Sequence, residues 1–263
     1  TNKEMLKDFT FQLKKFLSRN DIIAIKINPL VIRNVYDKKA NLIATNQNDD
    51  IILKNLKEVG FEHKGFNNYF EAFKPRFEAI IDLTPSLDEL FMSCKKALRT
   101  KVRRAELNGI TIHRGDDSNI KYLYEQLKAT YPRDLKYFQD SYEFYSRNNL
   151  IDFYYAKIET NTFLAQSQYL YQKQEQLVNE LSNTVIVEAK NDSSKTLSMK
   201  LEADNLLASY KDQLLKATQL LKEYPEGIIT ACALVIKNGS EAVLLIDSRD
   251  KKYSNFNSKH ILL

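Results

Sequence analysis

Ile151–Ile158 (IDFYYAKI) and Ile228–Ile236 (IITACALVI) are two apolar runs with the β-branched and aromatic content of buried strands, and the fold turns on what separates them. Between them, Leu164, Tyr171, Val178 and Val185 recur every seven residues. After a polar break from Lys190 to Lys195, Ala203, Tyr210, Ala217 and Tyr224 recur in the same way, with Leu207, Leu214 and Leu221 beside them. That period marks helices packed along a seam. Two helices of roughly 25 residues, each about 40 Å long and joined by a short polar turn, predict an antiparallel coiled-coil hairpin. Gln174 occupies a seam position of the first helix, which leaves that helix the less apolar of the two. The heptad segment is therefore read as a guest between two strands of one sheet.

Downstream, Ala242–Ile246 follows the 228–236 run across Lys237, Asn238, Gly239 and Ser240. Asn-Gly between apolar runs is the strongest short-range hairpin signal. A further helix begins near Asn255 and runs toward Leu263. Upstream of Ile151, a strand over 109–114 precedes a helix over about 118–130, a break at Pro132 and a helix over about 134–148. With the hairpin set aside, the order is strand, helix, helix, strand, strand, strand, helix. That is the order of an acetyltransferase-like unit.

Further upstream, Ser86 and Glu89 form a capping-box pattern. The helix behind it carries Leu87, Leu90, Phe91, Cys94, Leu98, Val102 and Ala105 on one side and ends at Gly109. In the first 83 residues a helix over 2–18 leads to a strand over Ile22–Ile27, ended near Pro29. The polar stretch Asp37–Asp50 reads as loop and Ile51–Val59 as a short helix stopped by Gly60. Tyr69–Phe73 and Phe77–Leu83 read as extended. The fold class is α+β. The expected division is 1–83 (latter part of a first unit), 84–108 (connecting basic helix), 109–162 (start of a second unit), 163–225 (helical arm) and 226–263 (continuation of the second unit).

Composition bounds the function. The 263 residues are 43% apolar, enough for a sizeable core. Six glycines exclude collagen-like and glycine-linker classes. Cys94 and Cys232 form no C-x-x-C pair, which fits a reducing compartment. No apolar run approaches the ~18 residues of a membrane span, and a chain that does not start with Met says little about targeting. His63, His113 and His260 are scattered without nearby partner ligands, so no metal or other cofactor is expected. No G-x-G-x-x-G, P-loop or G-x-S-x-G occurs, which removes the local signatures of dinucleotide binding, nucleotide hydrolysis and the usual hydrolase elbow. Asp82, Asp88 and Glu89 sit at a strand end and a helix cap and read as structural.

The net charge is +5, yet Lys95–Arg114 alone holds seven basic residues (Lys95, Lys96, Arg99, Lys101, Arg103, Arg104, Arg114) against Glu106. Such a stretch is either a solvated helix face or a polyanion site. Arg99, Arg103 and Arg104 favour the second, because guanidinium forks match phosphate oxygens and few acids compensate them. Arg76 precedes them at the mouth of a strand. Tyr131, Pro132, Arg133 and Asp134 place a charged pair at a helix junction, where Arg133 is a candidate ligand contact and Asp134 a candidate cap. Tyr253 and Phe256, after the last strand, either line a groove or belong to the core. From Phe163 to Tyr224 seven lysines face eight acids, so the arm is not a nucleic-acid clamp by charge.

Several stretches, taken in order, carry a resemblance. They are Lys26-Ile27-Asn28-Pro29, Gly60-Phe61-Glu62-His63-Lys64-Gly65-Phe66, Lys74-Pro75-Arg76-Phe77, Ile81-Asp82-Leu83, the helix end Lys101-Val102-Arg103-Arg104-Ala105-Glu106-Leu107-Asn108-Gly109-Ile110, and Thr130-Tyr131-Pro132-Arg133-Asp134. The series resembles the FemABX family, the non-ribosomal peptidyl transferases of bacterial cell-wall synthesis. The resemblance implies tandem acetyltransferase-like (GNAT-like) units with an antiparallel coiled-coil arm inserted in the second. It implies transfer of an amino acid (Gly, Ala or Ser) from aminoacyl-tRNA to an amine of the lipid-linked or UDP-linked peptidoglycan precursor, at or near the cytoplasmic face of the membrane, with related transferases as possible oligomeric partners. Family members run to about 400 residues, so the 263-residue stretch alone is expected to transfer little.

The chemistry so implied is aminolysis of an activated ester. It needs a positioned amine, a stabilised oxyanion and an anchored diphosphate, but no covalent nucleophile. Arg76, Arg99, Arg103, Arg104 and Arg133 are the candidates for phosphate, and Tyr253 and Phe256 for positioning the acceptor; no residue stands out as catalytic base. Two other classes remain open. An RNA-binding or coiled-coil interaction protein would use the basic helix and the arm without catalysis. A conventional acetyltransferase needs a backbone nest for the coenzyme pyrophosphate, and Asp247–Asn257, without glycine, does not favour one.

Overall fold

The computed structural model describes residues 2–27, 31–46, 48–65, 78–188 and 194–263. They form two compact units, Thr1–Asp82 and Leu83–Leu263. In the first, α1 (Lys3–Arg19) is capped by Asn2, whose side chain accepts the Glu4 and Met5 N–H groups. A small antiparallel ribbon follows, β1 (Asn34–Tyr36) with β2 (Leu42–Thr45), and then α2 (Asp49–Glu58). Lys3 pairs with Glu58 to tie α1 to α2, and Arg33 reaches Asp49 at 3.0 Å.

Two expectations change here. Ile22–Ile27 is not a strand, and the polar stretch read as loop contains β2. The Asp37 carboxylate explains the second point: it accepts the backbone N–H of Lys39 and of Asn41, each at 2.8 Å, and so builds the turn that reverses the chain. The expected strand over Tyr69–Phe73 and the start of the one over Phe77–Leu83 lie outside the described residues, and 78–83 has no regular structure.

The second unit opens with α3 (Leu87–Ser93), where Ser86 and Glu89 close the capping box. The single helix expected here is two: the chain is extended at Cys94 and Lys95 before α4 (Lys96–Leu107). Gly109, at φ 73°, turns the chain into β3 (Ile110–Gly115). Then come α5 (Ile120–Leu127), α6 (Leu135–Ser146), capped by Asp134, and β4 (Ile151–Ile158). Two long helices, α7 (Thr160–Glu188) and α8 (Ser194–Glu223), separate β4 from β5 (Ile228–Asn238). The chain ends through β6 (Glu241–Arg249), a 3-10 run over Lys251–Phe256 and α9 (Ser258–Leu262).

The sheet is antiparallel throughout, in the order β3-β4-β5-β6. The strands on either side of the helix pair are thus neighbours, with Ile158 opposite Ile228 where the pair departs. The pair is closed at its base by the Thr160 hydroxyl, which donates to the Tyr224 carbonyl at 2.8 Å. Gly227 is required there: its φ is 86°, and a Cβ would meet the Ile158 carbonyl oxygen at 2.5 Å. α7 and α8 run antiparallel, the Gln174 amide donating to the Ala203 carbonyl at 3.0 Å and Gln213 to the Ser167 hydroxyl at 3.1 Å. The seam around Gln174 is therefore polar, yet its buried groups are paired.

Alternation along β4 sends its side chains into two cores. Ile151 and Phe153 pack with Ile120, Leu123 and Phe138 of α5 and α6. Ala156 and Ile158 face the other way, toward Ala105 of α4, Phe163 and Ala217 of the helix pair, and Ile261 and Leu262 of α9. No helix among the described residues is long and apolar enough to cross a membrane.

A candidate cleft at the root of the helix pair

On the second of these faces, where α8 meets the 3-10 run after β6, a cleft of about 510 Å³ opens. That volume lies within the range of small-molecule sites. One wall is apolar, from Phe163, Leu220, Tyr253 and Phe256. Phe163 and Phe256 meet edge to face with centroids 4.9 Å apart, and Tyr253 is 6.3 Å from Phe256. The other wall is the polar side of α8, with Ser209, then Asp212 and Gln213 one turn on, then Lys216 a turn further, then Gln219 and Glu223; Asn108 closes it from the end of α4. Lys252 sits 5.1 Å over the Tyr253 ring. Burial pushes the Tyr253 phenol above its ordinary pKa and a hydrogen bond with Tyr224 adds to that, while Lys252 pulls the other way. The cleft thus offers aromatic faces, two ammonium groups and two carboxylates around a space open to a polar ligand.

Tyr253 and Phe256 are both groove and core: each is only 6% exposed, within the cluster around Ala156 and Ile158, and each lines the cleft. The arginines are not brought together with them. Arg99 is spent on the fold, its guanidinium donating to the Met92 and Cys94 carbonyls at 2.7 and 2.6 Å. These are the carbonyls freed where α3 ends, so Arg99 is the splint of the α3–α4 break. Arg103 lies 5.6 Å over the Phe91 ring and holds the same junction. Arg104 is exposed, and among the described residues no acid is in ion-pair distance of it. Arg133 stacks 5.1 Å over Tyr137 at the start of α6, on the opposite face of the sheet from the cleft. Arg76 lies outside the described residues.

The polar wall of α8 was not singled out by sequence reasoning. Its signal was present, since residues 209, 212, 213 and 216 fall at i, i+3, i+4 and i+7, a polar stripe flanking the apolar seam. Cys232 offers no nucleophile: it is buried, and burial pushes its thiol up to about 12.

Comparison with known proteins places this architecture. The model of the FemAB family matches residues 1–262. Lipid II:glycine glycyltransferase of Staphylococcus aureus is 27% identical over 274 residues, covering 99% of this chain and 60% of the relative; the protein of that name from strain USA300 matches to the same degree. A crystal structure of FemX superposes with a TM-score of 0.65 at 26% identity, over 99% of this chain and 63% of that one. The chain therefore spans about three fifths of the length of these relatives. On the breadth of the family match, the chain belongs to the FemAB family.

Proposed function

We propose that the protein is an aminoacyltransferase that moves an amino acid from aminoacyl-tRNA to an amine of the lipid-linked peptidoglycan precursor and so builds an interpeptide bridge. The observation that carries this is the match to a lipid II:glycine glycyltransferase along 99% of the chain. On the same footing we read the two units as tandem acetyltransferase-like units, with α7 and α8 as an inserted coiled-coil arm; the pairing of β4 with β5 around that insertion supports this. The work takes place at the cytoplasmic face of the membrane, where charged tRNA and the precursor meet.

In the reaction the acceptor nitrogen attacks the ester carbonyl, a C–N bond forms, the C–O bond to the ribose breaks, and the ribose oxygen leaves with a proton. The ester is activated already, so the protein's task is to hold the amine near the carbonyl and stabilise the oxyanion. The cleft supplies carboxylates for an ammonium group in Asp212 and Glu223, and aromatic faces in Tyr253 and Phe256 that position the acceptor. Arg76, Arg104 and Arg133 are the guanidinium groups we assign to phosphate. Arg99 and Arg103, engaged at the α3–α4 junction, act by holding the basic helix in place. The test is transfer by the full-length protein from glycyl-, alanyl- and seryl-tRNA to lipid-linked and UDP-linked precursors. Transfer of one amino acid to either acceptor is expected; binding of RNA without transfer under every pairing would replace the enzyme with an RNA-binding protein.

A further inference from the structure

One histidine sits among cations. His260, on α9, has its Nε2 3.3 Å from the Lys101 ammonium of α4. Arg249, at the end of β6, and Lys259, its neighbour on α9, also bear on the ring. Burial, and then Lys101, Arg249 and Lys259, hold the imidazole below its usual range, so near pH 7 the ring is neutral and takes a hydrogen bond from Lys101. α9 also packs on β3, β4 and β5, and none of these adds a charge acting on the ring. The nearby acids are committed: Asp247 pairs with Lys259, and the Asp250 carboxylate accepts the Lys252 backbone N–H at 2.8 Å. Among the described residues neither Lys101 nor Arg249 has an acid in ion-pair distance.

Hydroxyls stand beside this group. Ser254, Ser258 and the Asp250 carboxylate line a small crevice with Arg249 and His260, and Tyr253 lies on the wall of both this crevice and the larger cleft. Lys101 and Arg249, neither of them paired with an acid among the described residues, repel one another, and a bound anion reverses the sign of that interaction. The adjoining cleft has room and aromatic walls for a nucleoside.

We propose that Lys101, Arg249 and His260 form a site for the phosphate of a nucleotide whose nucleoside lies toward the Tyr253 wall. Lys101 and Arg249 donate to the phosphate oxygens, and the imidazole takes up a proton and becomes a third donor. Which nucleotide is bound rests on the transferase reading. An RNA 3′ end and a UDP-linked precursor present the same phosphate chemistry, and they are separated by probe.

The test follows the three imidazoles by NMR, assigned with the H63N, H113N and H260N variants, while the chain is titrated with UDP or with the trinucleotide CCA. The His260 midpoint is expected to rise with one probe, and that probe to bind more tightly at pH 5.5 than at pH 8, since the bound form holds the extra proton. Removing both cations in K101M/R249M is expected to weaken binding on the order of tenfold or more. Both residues are exposed, Lys101 midway along α4 and Arg249 at the end of β6, and an unchanged melting temperature confirms that the variant folds. The stronger probe names the source: CCA for RNA, UDP for the precursor. A His260 midpoint unmoved by both, or equal affinity in the double variant, overturns the site. Failure of amino-acid transfer with the midpoint still moved would remove the transferase reading and leave the site standing.

Discussion

The face of the sheet under α5 and α6 is filled by large side chains, Phe153, Ile120, Leu123, Phe138 and Leu234, of which only Phe138 is more than 1% exposed. The opposite face is built on alanines: Ala105, Ala156, Ala217 and Ala231 are each fully buried, and the aromatics Phe163, Tyr253 and Phe256 stand at its margin. Small residues let α4, α9 and the root of the helix pair approach the strands closely. Aromatic rings displaced to the edge cannot then seal the layer, and they become the wall of a cleft. One face of the sheet is a closed core; the other trades closure for a site.

The sharpest way to break that contrast is to truncate one aromatic on each face. Phe153→Ala leaves a hole that nothing fills, at an expected cost of about 4–5 kcal/mol in urea unfolding. Phe256→Ala opens onto the existing cleft, where side chains and water relax into the gap, and is expected to cost about 3 kcal/mol or less. Equal losses would mean that the two faces are packed alike. A second substitution probes closeness directly. Ala217→Leu adds bulk where α8 lies on the core, and about 1–3 kcal/mol of destabilisation is expected from overpacking. A neutral result in the same unfolding measurement would show slack between the helix pair and the sheet.

What could be read from residue order was what is fixed locally. The β4 run, the capping box at Ser86 and the Asn238-Gly239 reversal each declare themselves within a few residues, although the loop itself consists of Gly239 and Ser240, with Gly239 at φ 61°. The heptads told that α7 and α8 pack together, because a seam repeats. The break at Cys94 was hidden by apolar residues that keep helical spacing straight through it, and only the reach of Arg99 to two carbonyls shows why the chain can stop and restart there. The ribbon β1–β2 was missed because a carboxylate, not a glycine, makes its turn. The cleft was half legible: Tyr253 and Phe256 were singled out, while the polar wall on α8 looked like ordinary solvated helix surface.

At the far end of the strands a charge cluster tests how the open face is stitched. Asp152, only 7% exposed, pairs with Arg114 of β3 and, at 3.0 Å, with Lys237 of β5. Asp152→Asn leaves two cations facing a neutral amide, but Arg114 is largely in water, so about 1–2 kcal/mol is the expected loss rather than that of a fully buried pair. Adding salt should shrink the difference between the proteins only slightly, since the carboxylate is shielded from solvent.

The smallest effect lies where the α5–α6 layer stops. Thr111 and His113 of β3 face Lys157 and Tyr155 of β4, and Glu159, just past the strand, joins them: it accepts from the Thr111 hydroxyl at 2.9 Å and pairs with Lys157 at 3.1 Å. Burial pushes the Glu159 carboxyl up, but hydrogen bonds from Lys157 and Thr111, the Lys157 charge and His113 together outweigh it and hold it below the usual carboxylate range. A carboxyl whose folded pKa is lowered stabilises the protein above its unfolded pKa of about 4.3, and that contribution disappears as pH falls through the lowered value. Glu159→Gln should therefore cost on the order of 0.5–1 kcal/mol at pH 7 and nothing measurable at pH 2, with the two stability curves converging between. A gap of equal size at both pH values would show that shape rather than charge holds the cluster, and that this open end of the face is packed like the closed middle.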